Sequence, residues 1–350
     1  MKTKYIFHIV KGLESIAKQE LEINDVLIES VNLKFIIGYY DDNITRLSKL
    51  FTIDDIGIVI EDMHKLTSDD ILGMIEMALD SRLLESITQL KSVRGFKNYF
   101  SVTLNKYKIP LDITDAQLRL SEKIQKLTGY EYVHKDHSNI DIRIDADPER
   151  LIISLKLFTK SLFKRDYINE EYLGSLKPTI ASSLIMIAVH KTREIKPKSV
   201  IDTFCGSGTI LCEGFLQGYK VYGNDINPEA CEVSCKRLSR IGSSNVDIRN
   251  ESAEKTSWQD NTFDLAISNP PWNEKLKTKN MKELLKESIK EYSRILNGNG
   301  TLCLLTKYPE ITKKYIQKYF KEHNIEKYPI SFNGQNPTIV VAYKKYDVKN

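Results

Sequence analysis

From residue 199 to residue 306 apolar runs alternate with amphipathic runs, interrupted between 249 and 263, and this restricts that half of the chain to a parallel sheet covered by helices. Runs at 199–204, 220–225, 246–249, 263–268 and 301–306 read as strands, with 208–217, 228–240 and 280–296 as helices. Parallel neighbours joined this way require right-handed crossovers. Asn297-Gly-Asn-Gly300 is expected to stop the long helix before the strand at 301. After a helix at 310–322, two last strands at 325–332 and 338–344 flank Asn333-Gly334, a pair that predicts an antiparallel return. Pro178 suits the first turn of a helix over 179–193 that opens the region. The expected class is therefore α/β, with seven strands and an antiparallel last one.

Two of those strands end in runs with chemical content. Asp202-Thr-Phe-Cys-Gly206-Ser-Gly208-Thr209 follows the first, and Asn269-Pro270-Pro271-Trp272 follows the strand at 263–268. In open α/β sheets, ligands gather beyond the carboxyl ends of the strands. Gly206 and Gly208 let the backbone approach a ligand, with helix N–H groups aimed at an anion. A dinucleotide fingerprint needs a third glycine where this chain has Leu211, so pyrophosphate is disfavoured. Asp202 before the turn and Asp225 at the next strand's end suit a ligand with an ammonium and ribose hydroxyls. S-adenosylmethionine has both; a tight turn in an enzyme using another nucleotide is the plainer alternative.

Asn-Pro-Pro-Trp answers a different problem. The nitrogen of a nucleobase amino group or a carboxamide delocalises its lone pair and is a poor nucleophile. Two acceptors on its N–H bonds, Asn269 Oδ1 and the Pro270 carbonyl, favour a pyramidal nitrogen that can attack. The prolines hold those acceptors in place. Trp272 offers a face for a planar group, worth roughly 1–3 kcal/mol per stacked base. An ordinary loop also accommodates Asn-Pro-Pro, but seldom directly after a buried strand.

The front half reads as two α+β units. A strand at 4–10, a helix opened by Gly12, strands at 26–31 and 34–40, a helical segment at 43–51 and a strand at 56–60 make the first. Helices at 69–80 and 115–127, a strand at 100–104 and a hairpin of 140–144 with 151–157 make the second. Expected boundaries are 1–62, 63–168, a linker at 169–176, and 177–350. Charge is unevenly spread: residues 1–174 hold 24 Lys/Arg and 28 Asp/Glu, whereas 175–350 hold 27 and 19. A polyanion therefore meets its stronger average attraction in the second half. Lys160, Lys164 and Arg165 near the boundary, beside Lys156, and Lys275, Lys277 and Lys279 after the Trp are candidate phosphate contacts; a solvated lysine-rich face is the alternative. No apolar stretch is long enough to span a bilayer, and the N-terminus lacks a long apolar core and cleavage site, so a cytoplasmic location is expected. The five cysteines and six histidines show no four-ligand spacing, so no metal is expected.

These motifs carry a resemblance. Residues 175–350 resemble a Rossmann-like class I S-adenosylmethionine-dependent methyltransferase of the amino-methylating type. The front half is similar to the ferredoxin-like and THUMP domains of RNA methyltransferases, the group that includes tRNA and rRNA guanine-N2 enzymes. The similar segments are His8-Ile-Val-Lys-Gly12-Leu-Glu14-x-x-Ala17-x-x-Glu20-Leu21 and Leu155-x-Leu-x-x-x-Ser161-Leu162-x-Lys164-Arg165-x-Tyr167. Lys177-Pro178-Thr179-Ile-Ala181 resembles the segment that approaches the cofactor's methionine end. The resemblance implies that Asp202, Gly206 and Gly208 hold the methionine part and Asp225 the ribose. It adds Thr179, Phe204, Cys205, Thr209, Ile226, Ser252, Ala253 and Asn269 to the cofactor set, and gives Asn269, Pro270, Pro271 and Trp272 the base. This chain departs from the family at Trp272 (usually Tyr), at Asn273 and Lys275 (commonly Gly and Arg nearby), and at Ser252, where an adenine-contacting acid is usual and Glu251 stands beside it. The implied activity is methylation of guanine N2 in a flipped base of tRNA, or of rRNA, by a chain whose oligomeric state is open. N6-adenine methylation of RNA or DNA is the alternative enzyme, and an RNA-binding assembly factor with a vestigial cofactor fold is the alternative of another class.

Overall fold

The computed structural model describes residues 2–64, 70–169, 172, 174–192, 197–243, 246–272, 281–320 and 323–344. They form two compact units, one of 1–9 with 18–162 and one of 10–17 with 163–350.

The first unit contains β1 (Thr3–His8), most of α1 (Glu14–Ile23), β2 (Leu27–Asn32), β3 (Phe35–Tyr40), a 3-10 turn (Ile44–Lys49) and β4 (Asp55–His64). It continues with α2 (Ile71–Val93), β5 (Tyr99–Lys106), α3 (Ile113–Thr128), β6 (Glu131–Tyr132), β7 (Ile140–Ala146) and β8 (Arg150–Lys156). All eight strands join one sheet in the order β2-β3-β1-β4-β8-β7-β5-β6. The expected border at residue 62 falls inside β4, which pairs with β1 on one side and β8 on the other. Asp62 shows why the sheet is continuous there. It is nearly buried and accepts Arg150 Nε at 2.8 Å and Nη2 at 2.9 Å, with Lys4 Nζ at 2.8 Å. Burial opposes its charge, yet the Arg150 and Lys4 cations hold the carboxyl below its usual value. Glu20 on α1 accepts the N–H groups of Phe51 and Thr52 at 2.6 and 2.8 Å, closing the loop before β4. The helix expected at 69–80 runs on to Val93, because apolar residues through Leu90 stay buried.

The second unit has α4 (Pro178–Lys191), β9 (Ser199–Asp202), α5 (Thr209–Leu216), β10 (Lys220–Asp225), α6 (Pro228–Arg240), β11 (Asp247–Asn250) and β12 (Phe263–Ser268). It ends with α7 (Met281–Ile295), β13 (Leu296–Thr306), α8 (Pro309–Tyr319), β14 (His323–Pro329) and β15 (Thr338–Lys344). The seven strands lie in the order β11-β10-β9-β12-β13-β15-β14, with β15 antiparallel to both neighbours. Alternate residues of the buried strands face two cores. Leu265, Ile267, Cys303 and Leu305 pack with α4 and α5, while Ala266, Leu302 and Leu304 pack with α7 and α8. Asn297–Gly300 does not separate helix from strand as expected. It is a bulge within β13, where register jumps between Phe263–Leu296 and Leu265–Thr301, anchored by Asn297 Nδ2 donating to Asp264 at 2.7 Å. Asn333 and Gly334, at φ 48° and 71°, form the tight turn at the β14–β15 tip, closed by Phe332 and Gln335. None of the described helices is long and apolar enough to cross a membrane.

Glu213 of α5 is fully buried and holds three segments together. Arg165 approaches it through Nε and Nη2 at 3.0 and 3.1 Å, Tyr167 donates its hydroxyl at 2.8 Å, and Ser182 of α4 donates a fourth bond. Removing one partner of a buried ion pair strands the other charge, so Arg165→Ala should cost about 3–5 kcal/mol in denaturant unfolding. Arg165→Lys should recover only part, lacking the planar fork. A loss under about 1 kcal/mol for the alanine variant would mean that the pair is not a main support of this unit.

Candidate active site

Strand β9 lies between β10 and β12, so its carboxyl end opens where the two sides of the sheet diverge. A cavity of about 730 Å³ begins there. Asp202 ends the strand, fully buried, its Oδ1 accepting Phe204 N–H at 3.0 Å and Ser268 Oγ at 2.7 Å. Tyr292 of α7 donates to the same serine oxygen at 2.7 Å, so three elements position this carboxyl. Burial raises its pKa to about 7; the Ser268 and Phe204 bonds oppose the rise and the Asp225 charge adds to it.

The loop from 203 to 208 turns on two glycines in left-handed conformation, Gly206 at φ 51° and Gly208 at φ 78°. They do different things. A Cβ on Gly206 would meet nothing nearer than the Phe204 carbonyl at 4.0 Å, so its backbone is bare toward the cavity. A Cβ on Gly208 would stand 2.2 Å from Ser234 Oγ of α6; this glycine permits helix packing and is absent from the cavity wall. Asp225 closes the far side of the loop, its Oδ2 accepting Gly206 N–H and its Oδ1 accepting Asn227 N–H, both at 2.9 Å. Each oxygen keeps acceptor capacity for hydroxyls in the cavity.

Phe204, Cys205, Thr209, Ile226, Ser252 and Ala253 also line the cavity, and Ile226 is 74% exposed. Thr179 does not. It is buried in the first turn of α4, and the neighbouring wall is made by Gly174, Ser175 and Leu176, ahead of the helix. Glu251 is engaged by Ser257, whose N–H lies at 2.8 Å, and Glu254 supplies the acid on the wall instead. Ser207, Lys307, Phe332, Asn333 and Gln335 are further wall residues. The last three come from the turn between β14 and β15, which distance along the chain concealed.

Asn269, Pro270, Pro271 and Trp272 form one side of the same cavity. Among the described residues, Asn269 Oδ1 and Trp272 Nε1 are buried and have no hydrogen-bond partner. An unpartnered buried amide oxygen is costly, and a ligand N–H would satisfy it. Phe332 meets the Trp272 ring edge-on, 6.0 Å between centroids at 66°, and Tyr308 OH donates to the Trp272 carbonyl at 3.4 Å. Bare backbone at Gly206, a buried carboxyl at Asp202 and a second carboxylate at Asp225 fit an ammonium-bearing nucleoside such as S-adenosylmethionine. The volume lies within the range of small-molecule sites.

The expected phosphate contacts fare unequally. Arg165 is committed to Glu213, because a fully buried carboxylate needs a cation. Lys160 of the first unit and Lys164 of the second are exposed. Lys275, Lys277 and Lys279 lie outside the described residues. Among those described, no three His, Cys, Asp or Glu side chains gather as a metal site would require.

Residues 165–338 match the family described as RMKL-like methyltransferase domain (UPF0020). The chain is 23% identical to the tRNA (guanine(6)-N2)-methyltransferase of Methanocaldococcus jannaschii, over 94% of this chain and 97% of that protein. The crystal structure of TrmN from Thermus thermophilus shares the fold at a TM-score of 0.81 and 19% identity, covering 98% of this chain and 99% of that one. A putative methyltransferase complexed with SAH shares it at 0.73 and 17%, each chain covered in full.

Asp202 gives this site a pH signature. Its folded pKa lies above the unfolded one, so its contribution to stability is full below the unfolded value and is lost as pH rises through about 7. An ammonium ligand prefers the carboxylate, so affinity for S-adenosylmethionine should rise with pH and level off above about 7. Asp202→Asn should bind roughly 1–3 kcal/mol more weakly and lose that dependence. Calorimetric titration across this range checks both; a pH-independent affinity in the unaltered protein would remove Asp202 from the ammonium role.

Proposed function

We propose that this chain, which belongs through residues 165–338 to the RMKL-like methyltransferase family, methylates the exocyclic N2 of a guanine in tRNA. The observation that carries the reading is the buried, unpartnered Oδ1 of Asn269 beside Trp272, on the wall that also holds Asp202 and Asp225. The full-length similarity to a tRNA guanine-N2 enzyme supports the choice of base and RNA.

S-adenosylmethionine, when bound, supplies a methyl group on a positively charged sulfonium. The chain's own residues bring the acceptor to it. Asn269 Oδ1 and the Pro270 carbonyl take the two N–H bonds of the amino group, drawing its lone pair out of conjugation. Pro270 and Pro271 hold those oxygens still, so little reorganisation is needed when charge develops. Trp272 carries the flipped base, with Phe332 limiting the freedom of its ring. Asp202, the Gly206 backbone and Asp225 would hold the cofactor, leaving in-line positioning as the main requirement. The first unit, similar to the THUMP-containing front of such enzymes, docks the folded RNA in this reading.

Asn269 acts most strongly on the pyramidal nitrogen, so Asn269→Ala should lower kcat by about 100-fold or more while RNA affinity stays near its original value. Trp272→Ala should weaken both base capture and rate, and Trp272→Tyr should keep much of each. Single-turnover methylation of one tRNA by these variants tests the assignment, and near-normal turnover without Asn269 counts against it. Mass spectrometry of tRNA nucleosides from a strain lacking the gene should show loss of N2-methylguanosine. Loss of N6-methyladenosine instead would replace guanine by adenine.

A further inference from the structure

Besides Trp272, the cavity that Asp202 and Asp225 line is walled by Lys307, just after β13, and by Phe332, Asn333 and Gln335 of the β14–β15 turn. Lys307 Nζ lies 5.3 Å from the centroid of the Trp272 ring, so a full positive charge borders the surface on which a base would stack. Its side chain is exposed and makes no ion pair or hydrogen bond among the described residues.

We infer that Lys307 reads the O6 and N7 edge of the target base and is the residue by which this site selects guanine over adenine; the inference rests on the guanine-N2 reading above. A guanine whose N2 is held by Asn269 and Pro270 turns its opposite edge away from them, and that edge carries two acceptors, O6 and N7. A lysine ammonium offers three donors and no acceptor. It therefore matches guanine. An adenine gripped by N6 at the same two oxygens presents only N3 and a C–H group on its far side, a single acceptor for the same charge. Asn333 and Gln335 pair one donor with one acceptor, which matches a mixed edge such as adenine N6 and N7 rather than two acceptors side by side. The task falls to the cation.

The test uses the full chain and the tRNA that loses N2-methylguanosine in the deletion strain, built with either guanosine or 2-aminopurine riboside at that position. The latter keeps the N2 amino group and lacks O6 and the N1 proton. The unaltered enzyme should prefer guanosine by about 10-fold to 100-fold in kcat/KM, the scale of one good contact to a base edge. Lys307→Ala should lose about that factor on guanosine and little on 2-aminopurine, so that the preference collapses, while Lys307→Arg should keep most of it. Equal losses on both bases would show that Lys307 serves the backbone or the fold, and an undiminished preference would show that another residue reads O6 or the N1 proton. Either overturns the inference alone. Absence of turnover on guanosine by the unaltered enzyme overturns the N2 reading, and the inference with it.

Discussion

The placement of the glycine loop rests on one fully buried carboxylate. Glu213 sits on α5 one turn after that loop, and among the described residues Arg165, Tyr167 and Ser182 hold it. A buried carboxylate tolerates little movement, since each lost donor exposes an unpaired acceptor in a medium of low dielectric. The helix it belongs to is therefore held to α4 and to the segment at 165–167. The amino end of that same helix presents the backbone of the loop to the ligand. Polar precision at the back of the helix becomes positional precision at its front.

Asp202 and Asp225, on facing sides of the glycine loop, are held in different ways. Asp202 is enclosed and hydrogen-bonded to the strand beside it, so that its charge is close to balanced between two states near neutral pH. Asp225 instead spends one lone pair per oxygen on backbone N–H groups, which ties the loop to the neighbouring strand and orients what remains. The base side differs again. Its acceptor at Asn269 is buried without a partner, and its aromatic platform is braced by Phe332 and Tyr308. An unsatisfied amide acceptor on the cavity wall marks a position where the structure gives up local stability in favour of chemistry.

Much of this was legible in the residues because strands and helices here bury continuous faces, and period and punctuation agree. The seven strands of the second unit, the antiparallel return at Asn333-Gly334 and the meeting of Asp202, Asp225 and Asn269 in one cavity all follow from local pattern. What escaped was set by partners far along the chain. Nothing near Arg165 announces that Glu213 will claim it, and nothing near Gly208 announces Ser234. The turn at 332–335 reaches the site only because β15 inserts between β13 and β14. Asn297–Gly300 misled for another reason: glycine and asparagine punctuate bulges as well as helix ends, and a bulge needs its cross-strand neighbour to be recognised. The border expected at 62 failed to show that β4 continues through it as a shared strand.

The path of residues 10–17 bears on how such a protein can be inherited. Val10, Leu13 and Ile16 lie in the same core as Ile180 and Ile330, and Lys11 pairs with Ser331 beside the β14–β15 turn. The methyltransferase unit thus contains a short insert encoded ahead of most of the front unit. Recombination at residue 163 would carry that insert away and leave an apolar groove open beneath α4. Front and back are consequently not interchangeable modules. Exchange of one front unit for another by simple gene fusion would require the new partner to bring an equivalent of residues 10–17.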